Sequence, residues 1–363
     1  LARTLIHIIA LLCLLFCHAS LGGEVNVKHL YKQKWIQMES DNFSVLSNAN
    51  ASKTAKMLQE LEDFNYFVPM LLGFKQRNAF SQKFPVILAK NKDSLASMGV
   101  PKDYAGVFIK GSEQVIFARV DGFKSSKKGR GSWGRSVILH ELSHLLVDNT
   151  KLQLASPPWY TEGIAEYFGT YVRKKNKIIL GDMSILQHRY QSMVANIGGK
   201  FDNIDSESLF KTTKRDLNIS AKNDRKHVKF LNRFYTRSVS VVHYFNADNK
   251  RRKDMYTYLH LLHKGYTVDE AFTYVFDMTF SELDEKVNAY IDGKFVMART
   301  FDIGKNGLQF PKAKTQVVDI SKDQSMDYLY RKISLFSDNF LGFGNRDKMN
   351  ADFEKSIPGF FSE

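Results

Sequence analysis

SVILHELSHLLVD (136–148) and PWYTEGIAEYFG (158–169) are the two stretches that decide how this chain folds. In the first, Val137, Ile138, Leu142, Leu145 and Leu146 recur at helical spacing. Residues four apart share a helix face, so the imidazoles of His140 and His144 are able to reach one ion while Glu141 projects beside it. If the helix is buried, two histidines four apart also need partners. The second stretch opens with Pro158 and closes at Gly169, as a helix with proline in its first turn does. Two histidines under-ligate a metal, and the nearest suitable acid is Glu162, 18 residues after His144. That separation lets the chain leave one helix, turn, and present a carboxylate from another. Zn2+ accepts nitrogen and carboxylate oxygen and keeps one position for water, so it is the expected cofactor, with His140, His144 and Glu162 as ligands. Gly163 and Ala165 are small enough to let the two helices approach closely. Glu166 follows Glu162 by four residues. It reads either as the acceptor for a ligating histidine's free ring N–H or as a solvated helix acid.

Outward from this pair, the upstream chain predicts a small mixed sheet with a covering helix. WIQMES and FSVLS flank Asp41-Asn42 and form a hairpin. Asn50 or Ser52 caps a helix through Met57, Leu58, Leu61, Phe64, Phe67 and Leu71 that Gly73 ends. FPVILA (84–89) reads as a buried strand, and GVFI (106–109) with VIFARV (115–120) as a second hairpin. Downstream, residues 200–228 are polar and basic and read as a long excursion. Helices are expected over 230–246, 251–264, 268–276 and 280–291. Beyond Val296 the pattern weakens to a strand at VVDI and a helix pair from SMDYLYRKISLF and Lys348–Ile357, compatible with a single helical-hairpin repeat. The fold class is therefore α+β, with a mainly helical C-terminal part. Its expected divisions are a leader (1–22), an N-terminal α/β part (24–135), a helical metal-binding part (136–295) and a C-terminal tail (296–363).

Arg3, the apolar run from Leu5 to Phe16 and the small residues Ala19, Ser20, Gly22 and Gly23 have the layout of a secretory signal peptide. The run is shorter than the roughly 20 residues a bilayer span needs. Export to a periplasmic or extracellular space is the expectation, an uncleaved N-terminal anchor the alternative. Both cysteines, Cys13 and Cys17, fall in this segment. A mature chain without it has no thiol, which excludes disulfides and thiol catalysis. No other stretch is long and apolar enough for a membrane helix. The formal charge of +14 comes from scattered clusters (124–130, 173–177, 250–253) with no nucleic-acid-binding motif. They read as solvated basic surface or as attraction to an anionic envelope surface.

HELSH followed by WYTEGIAEYF resembles the peptidase-MA-like gluzincins, distant relatives of thermolysin and of the aminopeptidase-N group. The similarity covers Trp35 to Ile291. It implies that Glu162, the glutamate of the W-x-x-E-G-x-A pattern, is the third zinc ligand. FYTRSVSVVHYF (234–245) is similar to the helix whose leading tyrosine steadies the tetrahedral oxyanion in that family, which implies this role for Tyr235. His243, on the same stretch, reads as a packed or exposed helix histidine. No G-x-M-E-N-like stretch precedes the first motif, so exopeptidase activity is not implied. The resemblance points to an exported zinc metallopeptidase acting on a peptide or protein substrate, with Glu141 as general base. A zinc amidase on cell-wall amides and a metal-containing binding module without catalysis are the alternatives. Retention of Glu141 argues against the last.

Overall fold

The computed structural model describes residues 24–73, 82–102, 104–110, 113–123, 133–149, 153–186, 204–217, 225–292, 298–336 and 342–362. The expected leader with Cys13 and Cys17, the basic cluster at 124–130 and His188 lie outside them. The chain is α+β and divides into two compact units. One holds the described residues before 126 with 133–138 and 310–362, and the other those within 139–309.

The first unit is built on a six-stranded mixed sheet. Its strands are β1 (Ile36–Glu39), β2 (Phe43–Ser47), β3 (Phe84–Ala89), β4 (Gly106–Lys110), β5 (Gln114–Arg119) and β9 (Gln316–Val318), in the order β4-β5-β3-β2-β1-β9. The two expected hairpins, β1-β2 and β4-β5, are antiparallel, and β3 runs parallel to both β2 and β5. Parallel strands in a sheet centre call for cover on both faces. On one face Leu46, Ile87, Val107 and Phe117 share a core with Leu30 of α1 (Val27–Tyr31) and Leu95 of α3 (Lys92–Ala96). Two C-terminal helices, α12 (Lys322–Phe336) and α13 (Gly342–Ser356), add residues to the same core. The alternate positions Val45, Val86, Leu88, Ile116 and Ala118 are buried too, and α2 (Ala51–Leu71) packs on β1 and β2. Asn50 is the cap of α2: its side chain accepts from Lys53 N at 2.9 Å.

Two expectations are corrected here. The sheet is covered on both faces, not by one helix, and the described residues from 310 onward are part of the first unit, not a tail. Strand β9 pairs antiparallel with β1, and Met326, Leu329, Ile333, Met349 and Phe353 sit in the sheet's core. The strand and the helix pair read from the sequence both form, but their partners lie at the far end of the chain, beyond the reach of local periodicity.

The second unit contains α4 (Trp133–Asn149) from Leu139 onward, α5 (Pro158–Gly169), α6 (Ser206–Lys211), α7 (Lys214–Leu217), α8 (Arg225–Asn246), α9 (Asn249–His263), α10 (Val268–Phe276) and α11 (Phe280–Asp292). A three-stranded antiparallel sheet of β6 (Val172–Lys174), β7 (Lys177–Leu180) and β8 (Arg299–Asp302) completes it. The basic cluster 173–177 is the exposed end of the β6-β7 hairpin. The expected excursion at 200–228 is also corrected. Its described part contributes α6, where Leu209 and Phe210 are buried and Phe210 stacks on Trp159 at 4.4 Å and 20°. Scattered apolar residues in a polar run leave little periodic trace, yet an aromatic pair of this kind anchors a segment. Arg237 of α8, also buried, donates to Asp284 and to Asn288 Oδ1 at 2.8 Å, and Asp284 accepts from Ser206 N at 3.0 Å. This network joins α6, α8 and α11. Among the described residues no helix is long and apolar enough to cross a membrane.

If the C-terminal helices are core elements, Leu329→Ala will cost about 2–5 kcal/mol in urea unfolding, the range for emptying a buried leucine site. A change within about 0.5 kcal/mol, typical of surface positions, would make them an appendage instead.

Candidate metal centre

Helix α4 forms where the sequence predicts it and buries Leu139, Leu142, Leu145 and Leu146. It presents His140 and His144 one turn apart, with their rings nearly perpendicular at 81° and centroids 4.8 Å apart. Helix α5 is buried on nearly every side, from Trp159 to Gly169, as a helix in the middle of a unit is. It carries Glu162 and Glu166.

Gly163 lets α5 sit so deep. A Cβ there would lie 2.6 Å from Ser238 O and 2.6 Å from Val242 Cγ2, both on α8. Any larger residue would push two backbones apart. The small residue therefore serves the contact between α5 and α8, whereas the sequence suggested closeness between the two motif helices.

Three ligand atoms converge. Nε2 of His140 and Nε2 of His144 are 3.2 Å apart, and each is 3.4 Å from Glu162 Oε2. Metal–ligand bonds of about 2.0–2.2 Å at tetrahedral angles separate donor atoms by about 3.3–3.6 Å, close to all three distances. His140, His144 and Glu162 thus form a group that can hold a metal ion, the one such group among the described residues. Two further observations fit a cation. Glu162 Oε2 is buried and faces the imidazoles without a well-aligned hydrogen bond, and the buried Glu141 Oε1 has no hydrogen-bond partner. Buried carboxylate oxygens are seldom left so.

The charges in the group lean the same way. Burial alone would pull His140 down. The contact with the Glu162 carboxylate and the charges of Glu141, Glu166 and Glu162 reverse this and hold it raised to about 9. Burial would likewise raise Glu162, but the charge of His144 and the polar contacts of both histidines take its carboxyl well below the usual range. Glu141 is raised, first by burial and further by the Glu162 and Glu166 carboxylates, against the opposing pull of the histidines.

Glu166 is 4% exposed, so it is not a solvated acid. It lies one turn beyond Glu162, and its charge reaches His140 and Glu141. Tyr235 is buried on α8 with its ring edge-on to Phe234 at 5.7 Å. It stands three residues before Ser238 and seven before Val242, on the face that meets Gly163. His243, also on α8, is a packed histidine. Its Nε2 is 2.8 Å from Gly181 O and its Nδ1 2.8 Å from the Tyr290 hydroxyl. The sequence carries no signal for these partners, because Gly181, at φ +86°, follows a short strand with no pattern of its own.

Compared with models of known protein families the sequence matches none, and a search of curated proteins finds no match. The site therefore rests on its own geometry.

Burial lowers the pKa of His243 to about 4 in the folded chain, against about 6.5 unfolded. Between those values the unfolded chain binds a proton that the folded chain refuses. Stability from this group is therefore full above pH 6.5 and lost as pH falls towards 4, by roughly 3 kcal/mol. Urea unfolding of wild type and His243→Gln across this window will show a shallower loss in the variant; parallel curves would discount the group.

The metal group has the opposite sign. His140 carries its proton up to about pH 9 without a metal, so an incoming cation must displace it. Calorimetric titration with Zn2+ will show one ion per chain, proton release at pH 7, and affinity rising with pH. His140→Ala and His144→Ala will each abolish uptake. Full uptake by Glu162→Ala would show that the third ligand lies elsewhere, with Glu166 the next to test.

Proposed function

We propose that this chain is a zinc-dependent metallopeptidase of gluzincin type that hydrolyses peptide bonds. The observation that carries the proposal is the donor triangle of His140, His144 and Glu162 at 3.2–3.4 Å, with the buried, unpaired Glu141 Oε1 on the same helix as the histidines. Two imidazoles and one carboxylate are a ligand set that zinc enzymes use when one position is kept for chemistry. Zinc, when bound there, supplies Lewis-acid polarisation of a carbonyl and acidifies water.

The chain's own residues divide the remaining work. Glu141 accepts a proton from the attacking water and returns it to the leaving nitrogen; burial tunes it upward, nearer the pH at which a base must also act as an acid. Glu166, buried one turn from Glu162, orients a ligating histidine through that histidine's second ring nitrogen. Tyr235, on the α8 face that meets α5, donates to the oxyanion as it forms. A binding module would need no raised, unpaired carboxylate beside its ion, which favours catalysis. Export belongs to the same proposal and is motivated by the apolar run and small-residue exit at 1–23. N-terminal sequencing of protein recovered outside the cytoplasm tests it, with a start between Ser20 and Glu24 expected.

Glu141→Gln preserves size and removes the proton acceptor. It will keep zinc and lose hydrolysis of any peptide the wild type cleaves. Unchanged hydrolysis in this variant would place the activity at another site. Tyr235→Phe will keep zinc and lower kcat by about a hundredfold with KM little changed, the pattern of an interaction made only in the transition state.

A further inference from the structure

Helix α5 has a second polar face. Tyr160 and Tyr167 are seven residues apart and therefore share one side, roughly 140–160° around the helix from Glu162. Both are buried to 1% exposure. Tyr256 and Arg252 of α9 and Arg299 at the start of β8, all three partly buried, are groups whose charges or polar contacts reach the hydroxyls of Tyr160 and Tyr167.

The contacts tie these groups into one cluster. Arg299 comes within polar reach of the Tyr167 hydroxyl, and the charge of Arg252 also bears on it. Tyr256 feels both guanidinium charges, and its ring meets that of Tyr160 at 6.3 Å. The Tyr160 and Tyr256 hydroxyls approach each other, yet the buried Tyr160 Oη has no partner at hydrogen-bonding distance and angle. Arg252 is held by Asn249 Oδ1 at 2.5 Å and Asn246 O at 3.5 Å, and Arg299 lies over the Phe301 ring at 4.9 Å. Among the described residues neither arginine forms an ion pair. Asp248, whose charge bears on Arg252, spends its side chain capping α9.

Two guanidiniums whose charges oppose each other, neither of them in an ion pair among the described residues, are costly unless an anion joins them. Arginine has donors and no acceptor, and each tyrosine hydroxyl can donate. A ligand here must therefore be rich in acceptors. A phosphate dianion balances two positive charges, and its oxygens, each with more than one lone pair, can be shared between two guanidinium forks and the hydroxyls; a single carboxylate carries one charge and two oxygens.

We propose that Arg252, Arg299 and the hydroxyls of Tyr160, Tyr167 and Tyr256 form a binding site for a phosphate dianion, on the side of α5 away from the metal ligands. The site is independent of zinc and of peptidase activity. Free phosphate and a phosphate monoester present the same group to it.

The test uses the full chain at constant ionic strength, with inorganic phosphate, glycerol 3-phosphate and acetate as probes. Phosphate will raise the unfolding midpoint and bind calorimetrically, and acetate will do so far less. Arg252→Gln and Arg299→Gln will each weaken phosphate binding by about tenfold or more. Arg299→Lys, which keeps charge but loses the fork, will recover part of that loss. Tyr256→Phe, a mild change that keeps the ring, will weaken it by a smaller factor. Tighter binding of glycerol 3-phosphate than of phosphate points to an esterified ligand, and equal binding to the free ion; both support the site. Zinc uptake must stay unchanged in every variant, which separates this result from any failure at the metal group. No stabilisation of wild type by phosphate, an equal effect of acetate, or undiminished binding in both arginine-to-glutamine variants would overturn the proposal.

Discussion

The backbone contact between Gly163 and Ser238 sets where everything on α5 can lie. With 2.6 Å from a notional Cβ to both Ser238 O and Val242 Cγ2, main chain and a valine of α8 lie against Gly163, and no side chain fits at position 163 itself. Adding even a methyl group to such a contact typically costs about 1–3 kcal/mol in displaced structure. The residue immediately before this contact is Glu162. A shift of α5 would move its carboxylate from both imidazoles at once. Tyr160 and Tyr167, on the helix's other side, would move with it. One glycine thus governs two polar faces whose chemistries are otherwise unrelated.

Those faces hold charge by opposite means. Around the histidines, carboxylates outnumber their partners, and Glu141, Glu162 and Glu166 together keep a proton on His140 well above the ordinary histidine range. Around Arg252 and Arg299 the imbalance is positive. Around the histidines burial weakens solvent screening, so the local negative charge attracts a cation although the chain's overall charge is +14. His243 shows the third outcome of burial, a histidine kept neutral because both ring nitrogens find uncharged partners.

How much of this could be read from the sequence depended on the distance over which each contact acts. His140, Glu141 and His144 lie within little more than one helical turn, and the capping of α2 by Asn50 spans three residues; both were legible. Glu162 was legible because its helix starts at a proline and its spacing admits one turn between helices. The stack of Trp159 on Phe210 was not, since Phe210 stands in a polar run with one apolar neighbour. The β6-β7 hairpin was hidden because its turn is a run of basic residues and places Lys175 at φ +51°, where glycine or asparagine is the usual signal. Arg252 and Arg299 come together only across α10 and α11, a separation over which no sequence pattern speaks.

The pairing of β9 with β1 has a consequence for how the chain is made. Synthesis runs from the N-terminus, so strands β1 to β5 leave the ribosome early and must wait for β9, α12 and α13, which follow the whole of the second unit. Throughout that interval β1 is an open sheet edge and the Leu46, Ile87 and Phe117 face is covered only in part, by α1 and α3, a combination that invites pairing with other chains. Residues 139–309, by contrast, are contiguous and are complete before the first unit can close. The nascent protein therefore passes through a state in which the half bearing the metal group is whole and the half that began first is still unfinished.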